Sequence, residues 1–119
     1  MTILPDLGQL DEQRREIVAL AREFAQNEIA PFAGEWDRTK STPFNVYKKL
    51  GELGFYGLTV PEEYDGLSLD PLTYFMVIEE ISAADAGIAI ALSVHNSMPV
   101  HMLQRYGTDE QKEKWLRGM

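Results

Sequence analysis

Two histidines and two methionines lie close together in the sequence and are of types that could bind a soft metal ion. They form the pattern His-x-x-Met-x-x-His-Met between His95 and Met102. Imidazole and thioether groups are ligands for copper and zinc. Residues six apart lie on nearly opposite faces of a helix, and Pro99 interrupts the geometry between the two histidines. Ordinary packing is therefore the favoured interpretation, and we expect no metal site.

Paired carboxylates and serines are the other side chains with catalytic potential. The pairs Glu62-Glu63 and Glu79-Glu80 are adjacent in sequence, but neighbouring side chains on a helix point about 100° apart and cannot share one proton. A solvated helix face explains them better. Ser93 and Ser97 lack the Gly-x-Ser-x-Gly turn that exposes a nucleophilic serine, and no glycine-rich loop opens a helix. We therefore predict no catalytic and no cofactor-binding residue.

The charge of the chain is acidic and unevenly distributed. Eleven Lys and Arg stand against 19 Asp and Glu, and the net charge of -8 disfavours nucleic acid as a partner. No Lys or Arg occurs from Gly51 to Gln104, where eight carboxylates lie. A phosphorylated ligand that reaches this stretch would have to be held by backbone groups or by another domain.

Length and composition are those of one globular domain. The chain has 119 residues, of which 45% are hydrophobic and 25% charged. Its longest apolar run, near Ile88 to Leu92, is far shorter than the ~20 residues of a membrane span. Residues 1–7 lack the basic end and apolar core of a signal peptide. There is no cysteine, so we expect a soluble, cytoplasmic protein.

Hydrophobic periodicity and capping residues predict about six helices. Asp11, Thr42, Asp70, Asp85 and Thr108 are the predicted N-caps, and Gly107 is a predicted left-handed C-cap. The predicted helices cover residues 11–30 with a shorter piece to Trp36, 42–54, 70–84, 85–94, 100–106 and 108–119, and Pro99 is predicted to interrupt the chain before the fifth of them. In the second helix the predicted apolar face consists of Phe44, Tyr47, Leu50 and Leu53.

Two segments need a separate interpretation. Residues 55–69 contain many turn residues and are predicted as extended chain and loop. Residues 86–94 alternate with the period of a strand, but a lone buried strand would leave its backbone groups unpaired, so we predict a helix. Because this helix is apolar on every side, it should be the central one. The predicted fold is all-α, an up-and-down helical bundle with an extended loop around residues 55–69.

Several segments together resemble the N-terminal helical domain of the acyl-CoA dehydrogenases. They occur in the family's order and spacing from Leu10 to Met119. The segments are Glu28-Ile-Ala-Pro31, Glu35-Trp-Asp-Arg38, Gly51-Glu-Leu-Gly-Phe-Tyr-Gly-Leu58, Val60-Pro-Glu-Glu-Tyr64, Glu79-Glu-Ile-Ser82, Ser93-Val-His-Asn-Ser97 and Tyr106-Gly-Thr-Asp-Glu-Gln-Lys112. The resemblance implies that residues 1–119 form this domain and that the family's middle β domain and C-terminal helical domain are absent.

The resemblance also implies an activity. Members of the family use FAD to oxidise an acyl-CoA thioester to the trans-2-enoyl-CoA. A glutamate base in the C-terminal domain removes the α-proton while flavin N5 takes the β-hydride. The resemblance therefore implies acyl-CoA as substrate, FAD in the full-length enzyme, electron-transfer flavoprotein as partner and a homo-oligomer. We expect this chain alone to bind no FAD and to be inactive.

The resemblance identifies Val94, Met98 and Ala91 as substrate-binding residues, because the corresponding helix and turn line the deep end of the family's acyl pocket. Plain core packing is the alternative for each of them. Asp65 and Ser68 stand where family members usually have glycines, which leaves the conformation of their loop open.

Two other identities stay open. The chain could be a domain of a related acyl-CoA oxidase or flavin monooxygenase, since these relatives share this domain. It could also be a free-standing helical interaction module.

Overall fold

The computed structural model describes residues 11–119, and over that range the chain is helical and contains no β-strand. The helices are α1 (Glu12–Phe24), α2 (Ala30–Thr39), α3 (Phe44–Glu52), α4 (Pro71–Ala84), α5 (Ala86–Ser97), α6 (Pro99–Tyr106) and α7 (Asp109–Trp115). The predicted all-α class is confirmed. Residues 1–7, in which no signal peptide was predicted, lie outside the described residues. None of the helices in the described range has the length and apolar content needed to cross a bilayer.

The first predicted helix and its shorter continuation form one helical stretch that runs past Pro31. A π-helical segment, Ala25–Ile29, joins α1 directly to α2. Pro31 lies in the first turn of α2, where a missing backbone N–H is tolerated. If α1, the π-segment and α2 are counted as one element, the described range holds six helical elements besides two short 3-10 helices, in agreement with the predicted number.

Four of the predicted N-caps are confirmed. The carboxylates of Asp11, Asp70 and Asp85 accept hydrogen bonds from the backbone three residues later, at 2.9, 3.0 and 2.8 Å. Thr108 and Gln111 form a reciprocal capping box, with donor–acceptor distances of 3.2 and 2.9 Å. Each cap satisfies backbone N–H groups that have no partner inside the helix.

The prediction for the start of α3 was wrong. The N-cap is Pro43 with no side-chain capping bond, and the N–H of Phe44 donates to the carbonyl of Thr42 instead of to its hydroxyl. Phe44 was assigned to the apolar face of this helix, but it is 77% exposed. The buried residues of α3 are Val46 and Leu50, one turn apart, because these two face the main core.

The prediction of a left-handed C-cap at Gly107 was also wrong. Its φ and ψ are -71° and 148°, which is extended backbone. A Cβ at this position would lie 2.5 Å from the carbonyl oxygen of Leu103. Glycine is therefore needed here for a close backbone approach and not for a positive φ.

The loop predicted around residues 55–69 is present, but it is not extended throughout. It contains two short 3-10 helices, Phe55–Gly57 and Glu62–Tyr64. It then folds back on itself, because the N–H groups of Leu67 and Leu69 donate to the carbonyls of Gly57 and Leu58, both at 2.9 Å. The backbone bonds of this loop are thus satisfied locally, without a strand partner.

The helix after Asp85 was expected to be the central one, but only one of its faces is covered. One face of α5 is buried in the main core through Ile88, Ala89 and Leu92, where it packs against α4. The opposite face is open, and Ile90 is 62% exposed. In the described chain the neighbouring helices cover only one side of α5, which leaves an apolar surface uncovered.

Candidate functional site

A row of exposed apolar side chains runs along α5 and α6, and we call it the apolar stripe. Its members recur every four residues and are between 45% and 76% exposed: Ile90, Val94, Met98, Met102 and Tyr106. A four-residue spacing places side chains on one face of a helix. Backbone hydrogen bonds continue across the junction of the two helices, so the stripe does as well. The N–H of Met98 donates to the Val94 carbonyl, and the N–H of Met102 donates to the Met98 carbonyl, both at 2.9 Å. An extended exposed apolar surface is typical of a binding face.

The three residues assigned to substrate binding lie together on this side of α5. Val94 and Met98 are 45% and 56% exposed, and Ala91 is exposed as well. At about 100° per residue, their directions fall within an arc of roughly 60°. They therefore do not pack into the core of the described residues. Contact with an acyl chain remains a prediction.

Two open grooves lie against the C-terminal half of the stripe. One, of about 590 Å³, is lined by Met98, Met102 and Tyr106 together with His101 and Arg105. The other, of about 390 Å³, shares Met102 and Tyr106 with the first and continues to Trp115 on α7. Apolar walls with a few polar groups at the edge suit a largely apolar ligand.

Asn96 lies on the buried side of α5 and anchors the helix that carries the stripe. Its side chain is completely buried, and its Nδ2 donates to the carbonyls of Phe55 and Leu92 at 2.9 and 3.1 Å. The hydroxyl of Thr59 donates to the Asn96 carbonyl at 2.9 Å, and the Gln104 amide donates to the Thr59 carbonyl at 3.0 Å. These bonds fix α5 and α6 to the loop after α3.

The sequence interpretation missed Asn96, Thr59 and Gln104. The available signal was Asn96 itself, because a buried amide in an otherwise apolar helix needs specific partners. Its partners in the loop, Phe55 and Thr59, lie 41 and 37 residues away, however, and no local pattern identifies them.

His95 and His101 do not converge on one site. The His95 ring packs edge-on against Tyr56, with centroids 4.9 Å apart, and its buried Nε2 has no hydrogen-bond partner. Burial lowers the pKa of His95, and a hydrogen bond to the Tyr56 backbone opposes this shift. His101 instead lines the groove beside Met98. In the described part of the chain, no cluster of three or more metal-binding side chains occurs.

Arginines from the flanks reach across to the acidic middle of the chain. Three long-range ion pairs join them: Arg14 with Asp70 at 2.9 Å, Arg22 with Glu80 at 2.6 Å, and Arg117 with Asp65 at 2.7 Å. The acidic stretch that is separate in sequence is therefore partly neutralised in space.

The starts of α4 and α5 do not fit the diphosphate of the flavin cofactor that the resemblance implies. A flavin diphosphate is best held by free N–H groups at a helix N-terminus or by cations. The N-termini of α4 and α5 are already occupied by the carboxylates of Asp70 and Asp85. A concavity of about 350 Å³ at the start of α5 is lined by Asp37, Lys40 and Asp85, in which carboxylates outnumber the cation. Neither these two helix starts nor this concavity offers the contacts that a flavin diphosphate needs.

Comparison with known proteins gives a family match over the whole described range. The family model described as acyl-CoA dehydrogenase, N-terminal domain, matches residues 11–119. A protein named 3-(aryl)acrylate reductase from Clostridium sporogenes is 44% identical over 108 residues, which are 91% of this chain and 29% of that protein.

Two solved structures have the same fold. Butyryl-CoA dehydrogenase from Megasphaera elsdenii superposes with a TM-score of 0.83 at 31% identity, over 92% of this chain and 29% of that one. A chain in a structure described as the electron transferring flavoprotein of Acidaminococcus fermentans superposes with a TM-score of 0.85 at 37% identity, over 98% of this chain and 30% of that one. The chain spans less than a third of the length of these relatives. It belongs to the acyl-CoA dehydrogenase family and corresponds to the N-terminal helical domain of that family.

Proposed function

We propose that this chain is the N-terminal domain of an FAD-dependent acyl-CoA dehydrogenase, and that its apolar stripe forms part of the acyl pocket. The observation that supports this is the exposure of Val94 and Met98 on one continuous apolar face. These are positions that the family resemblance assigns to the pocket. An apolar face left open by its own domain is available to a ligand or to the rest of the protein.

The proposed reaction of the whole protein is the α,β-dehydrogenation of acyl-CoA to trans-2-enoyl-CoA. The substrate loses a proton from Cα and a hydride from Cβ, and FAD, when bound, supplies a hydride acceptor. The proposed role of Val94, Met98 and Ala91 is to bind the acyl tail and to exclude water from it. Each methylene group removed from water contributes about 0.8 kcal/mol.

The proposal includes partners and a location. Electron-transfer flavoprotein is the proposed electron acceptor, and the likeness to a chain in a structure of such a flavoprotein supports this. A homo-oligomer is proposed because exposed apolar faces favour association. A cytoplasmic location is proposed because none of the 119 residues is cysteine.

Replacement of Met98 by Ala in the full-length protein that carries this domain tests the pocket. The space it opens should shift the preference towards longer acyl chains, by about fourfold in kcat/KM for each additional methylene bound. The measurement is kcat/KM over a series of acyl-CoA lengths, together with the melting temperature. We expect little change in melting temperature, since Met98 is 56% exposed.

Met76→Ala is the matched control, because Met76 is only 9% exposed and belongs to the main core. It should lower stability by about 2–5 kcal/mol without changing the length profile. An unchanged length profile in Met98→Ala with a lowered melting temperature would remove Met98 from the pocket.

An aromatic acyl group is a second candidate for the stripe. Met98, Met102 and Tyr106 lie along the same face, and thioether–aromatic contacts contribute about 0.3–1.5 kcal/mol. The relative named 3-(aryl)acrylate reductase supports this candidate. If kcat/KM is higher for an aryl acrylate in the reductive direction than for every alkyl substrate, the second candidate replaces the first.

The electron acceptor separates the remaining alternatives. A dehydrogenase turns over with electron-transfer flavoprotein, whereas an acyl-CoA oxidase or a flavin monooxygenase consumes oxygen. If the chain is an interaction module, the full-length protein that carries it should oxidise no acyl-CoA with either acceptor.

A further inference from the structure

The loop of residues 61–66 is held against the end of α7 by one arginine, and we call it the strap loop. Arg117 donates from Nη1 to Oδ2 of Asp65 at 2.7 Å and from Nη2 to the Glu63 carbonyl at 2.9 Å. Its guanidinium carbon lies 5.9 Å from the centre of the Tyr64 ring. Three successive loop residues thus contact a single side chain more than 50 positions further along the chain.

Glu113 fixes the orientation of this guanidinium. Nε of Arg117 donates to Oε1 of Glu113 at 2.5 Å and Nη2 to Oε2 at 3.1 Å, across one turn at the end of α7. A bidentate pair fixes the plane of the guanidinium and therefore the direction of its other donors. The hydrogen bond from Arg117 also lowers the pKa of Glu113, which keeps this carboxylate charged.

The strap loop has a strained backbone and is closely packed. Asp65, within it, and Ser68, just after it, have φ angles of 66° and 48°, in the left-handed region that side chains other than glycine rarely adopt. A Cβ at Gly66 would lie 2.0 Å from the carbonyl oxygen of Val60. Strained backbone of this kind persists only where surrounding contacts determine it. Arg117 provides such contacts from outside the loop.

Beneath the loop lies a small core that is separate from the main one. It consists of Val60, Val100 and Leu116, each 1% exposed or less, with Tyr64 and Leu103 packed against it. So small a cluster contributes little cohesion of its own, and regions with few buried contacts open locally before the rest of a domain unfolds. At the start of the loop, by contrast, the chain is anchored to α5 and α6 by the hydrogen bonds of Thr59.

We propose that Arg117 and Asp65 form an ionic latch that keeps the strap loop closed over Val60, Val100 and Leu116. When the latch is broken, the loop opens locally while the main core stays folded. The side chains of Arg117 and Asp65 are 40% and 72% exposed, so salt screens their attraction and shifts the loop towards the open state. This device is independent of the proposed function.

A single buried thiol tests the latch, because the 119-residue chain contains no cysteine. Val60→Cys places the probe under the loop, and Leu92→Cys places a second probe in the main core, in a separate protein. Each background is combined with Arg117→Met, with Asp65→Asn or with neither. Asparagine tolerates a positive φ as aspartate does, so this variant changes the charge and not the backbone preference. The readout is the rate of thiol labelling.

We expect Arg117→Met and Asp65→Asn to raise the labelling rate at position 60 by about three- to tenfold, with no change at position 92. About 1 M sodium chloride should produce the same selective rise in the Val60→Cys protein that keeps both Arg117 and Asp65. Arg38→Met is the control, since Arg38 forms a comparable exposed pair with Glu35 at 2.6 Å within α2. It should leave both rates unchanged.

Amide hydrogen exchange gives a second readout that needs no cysteine. The amides of Gly66, Leu67 and Ser68, which donate within the loop region, should exchange faster in Arg117→Met, while those of α4 keep their protection. Unchanged exchange and labelling in both latch variants would overturn the proposal. Equal acceleration at positions 60 and 92 would also overturn it, because the opening would then be global.

Discussion

At the scale of single residues, Asn96 is a fully buried polar side chain that joins α5 to the loop after α3. Both of its amide hydrogens and its backbone carbonyl are bound to groups that lie inside the protein. The net contribution of each such bond is modest, but a buried group left without its partner is costly. Asn96 therefore fixes the register between α5 and the loop before α4.

Replacement of Asn96 by Ala leaves the Phe55 carbonyl without its partner and creates a small cavity. We expect the free energy of unfolding to fall by about 1–3 kcal/mol, measured by chemical denaturation. Asn45→Ala is the control, because Asn45 is exposed on α3; its effect should stay within about 0.5 kcal/mol. Equal effects of the two substitutions would contradict the role given to Asn96.

His95 makes stability depend on pH. Its pKa is lowered in the folded state by burial from the ordinary value of 6.5. Above pH 6.5 the ring is neutral in both states, and the stability from its packing is fully present. As the pH falls below 6.5, the unfolded chain takes up the proton first, so stability is lost until the pH passes the folded-state pKa.

Chemical denaturation of the wild type and of His95→Gln at a series of pH values measures this effect. The difference in unfolding free energy should change in favour of the variant as the pH falls below 6.5. His101 is present in both proteins and therefore does not contribute to this difference. A difference that does not vary with pH would show that the burial of His95 has no effect on its proton affinity.

At the scale of elements, alanine substitutions at two glycines distinguish the effect of helix propensity on stability from the effect of close packing. Gly34 lies inside α2 with open space where a Cβ would be, whereas Gly66 lies against the Val60 carbonyl. Gly34→Ala should raise stability by about 0.5–1 kcal/mol, because alanine restricts the unfolded chain and favours a helix. Gly66→Ala should lower it by about 1–3 kcal/mol, since the added methyl overlaps backbone atoms.

Thermal unfolding of both variants checks this contrast. A stabilising Gly66→Ala would mean that the strap loop moves away from Val60 at little cost. The loop would then not be held in the closed position described above.

At the scale of the whole molecule, the apolar stripe is the surface most available for association. Its five side chains are exposed together, and Trp115 at the neighbouring groove is 53% exposed. We expect concentration-dependent self-association of the 119-residue chain, which Met98→Lys combined with Met102→Lys should weaken. Sedimentation velocity measures the effect.

Phe44→Lys is the matched control for association. Phe44 is 77% exposed on α3 and lies outside the stripe. Its replacement should leave association unchanged. A wild-type chain that stays strictly monomeric at high concentration, and that binds no dye for apolar surfaces, would contradict the expectation.

The sequence by itself determined the features that depend on neighbouring residues. Asp11, Asp70, Asp85 and Thr108 each cap a helix through a bond to the backbone three residues later, so the pattern that predicts the cap also contains its partner. Helix number, the loop around residues 55–69 and family membership follow from the same local order of residues.

Only the tertiary structure decided which faces are covered and which distant groups meet. α5 is apolar on all sides, so its periodicity could not tell the buried face of Leu92 from the exposed face of Val94. Gly107 matches the usual C-cap pattern, yet the approach of the Leu103 carbonyl decides its role. The pairs of Arg14, Arg22 and Arg117 with the acidic middle join residues more than 50 positions apart. Such contacts depend on how helices pack, which local sequence patterns do not encode.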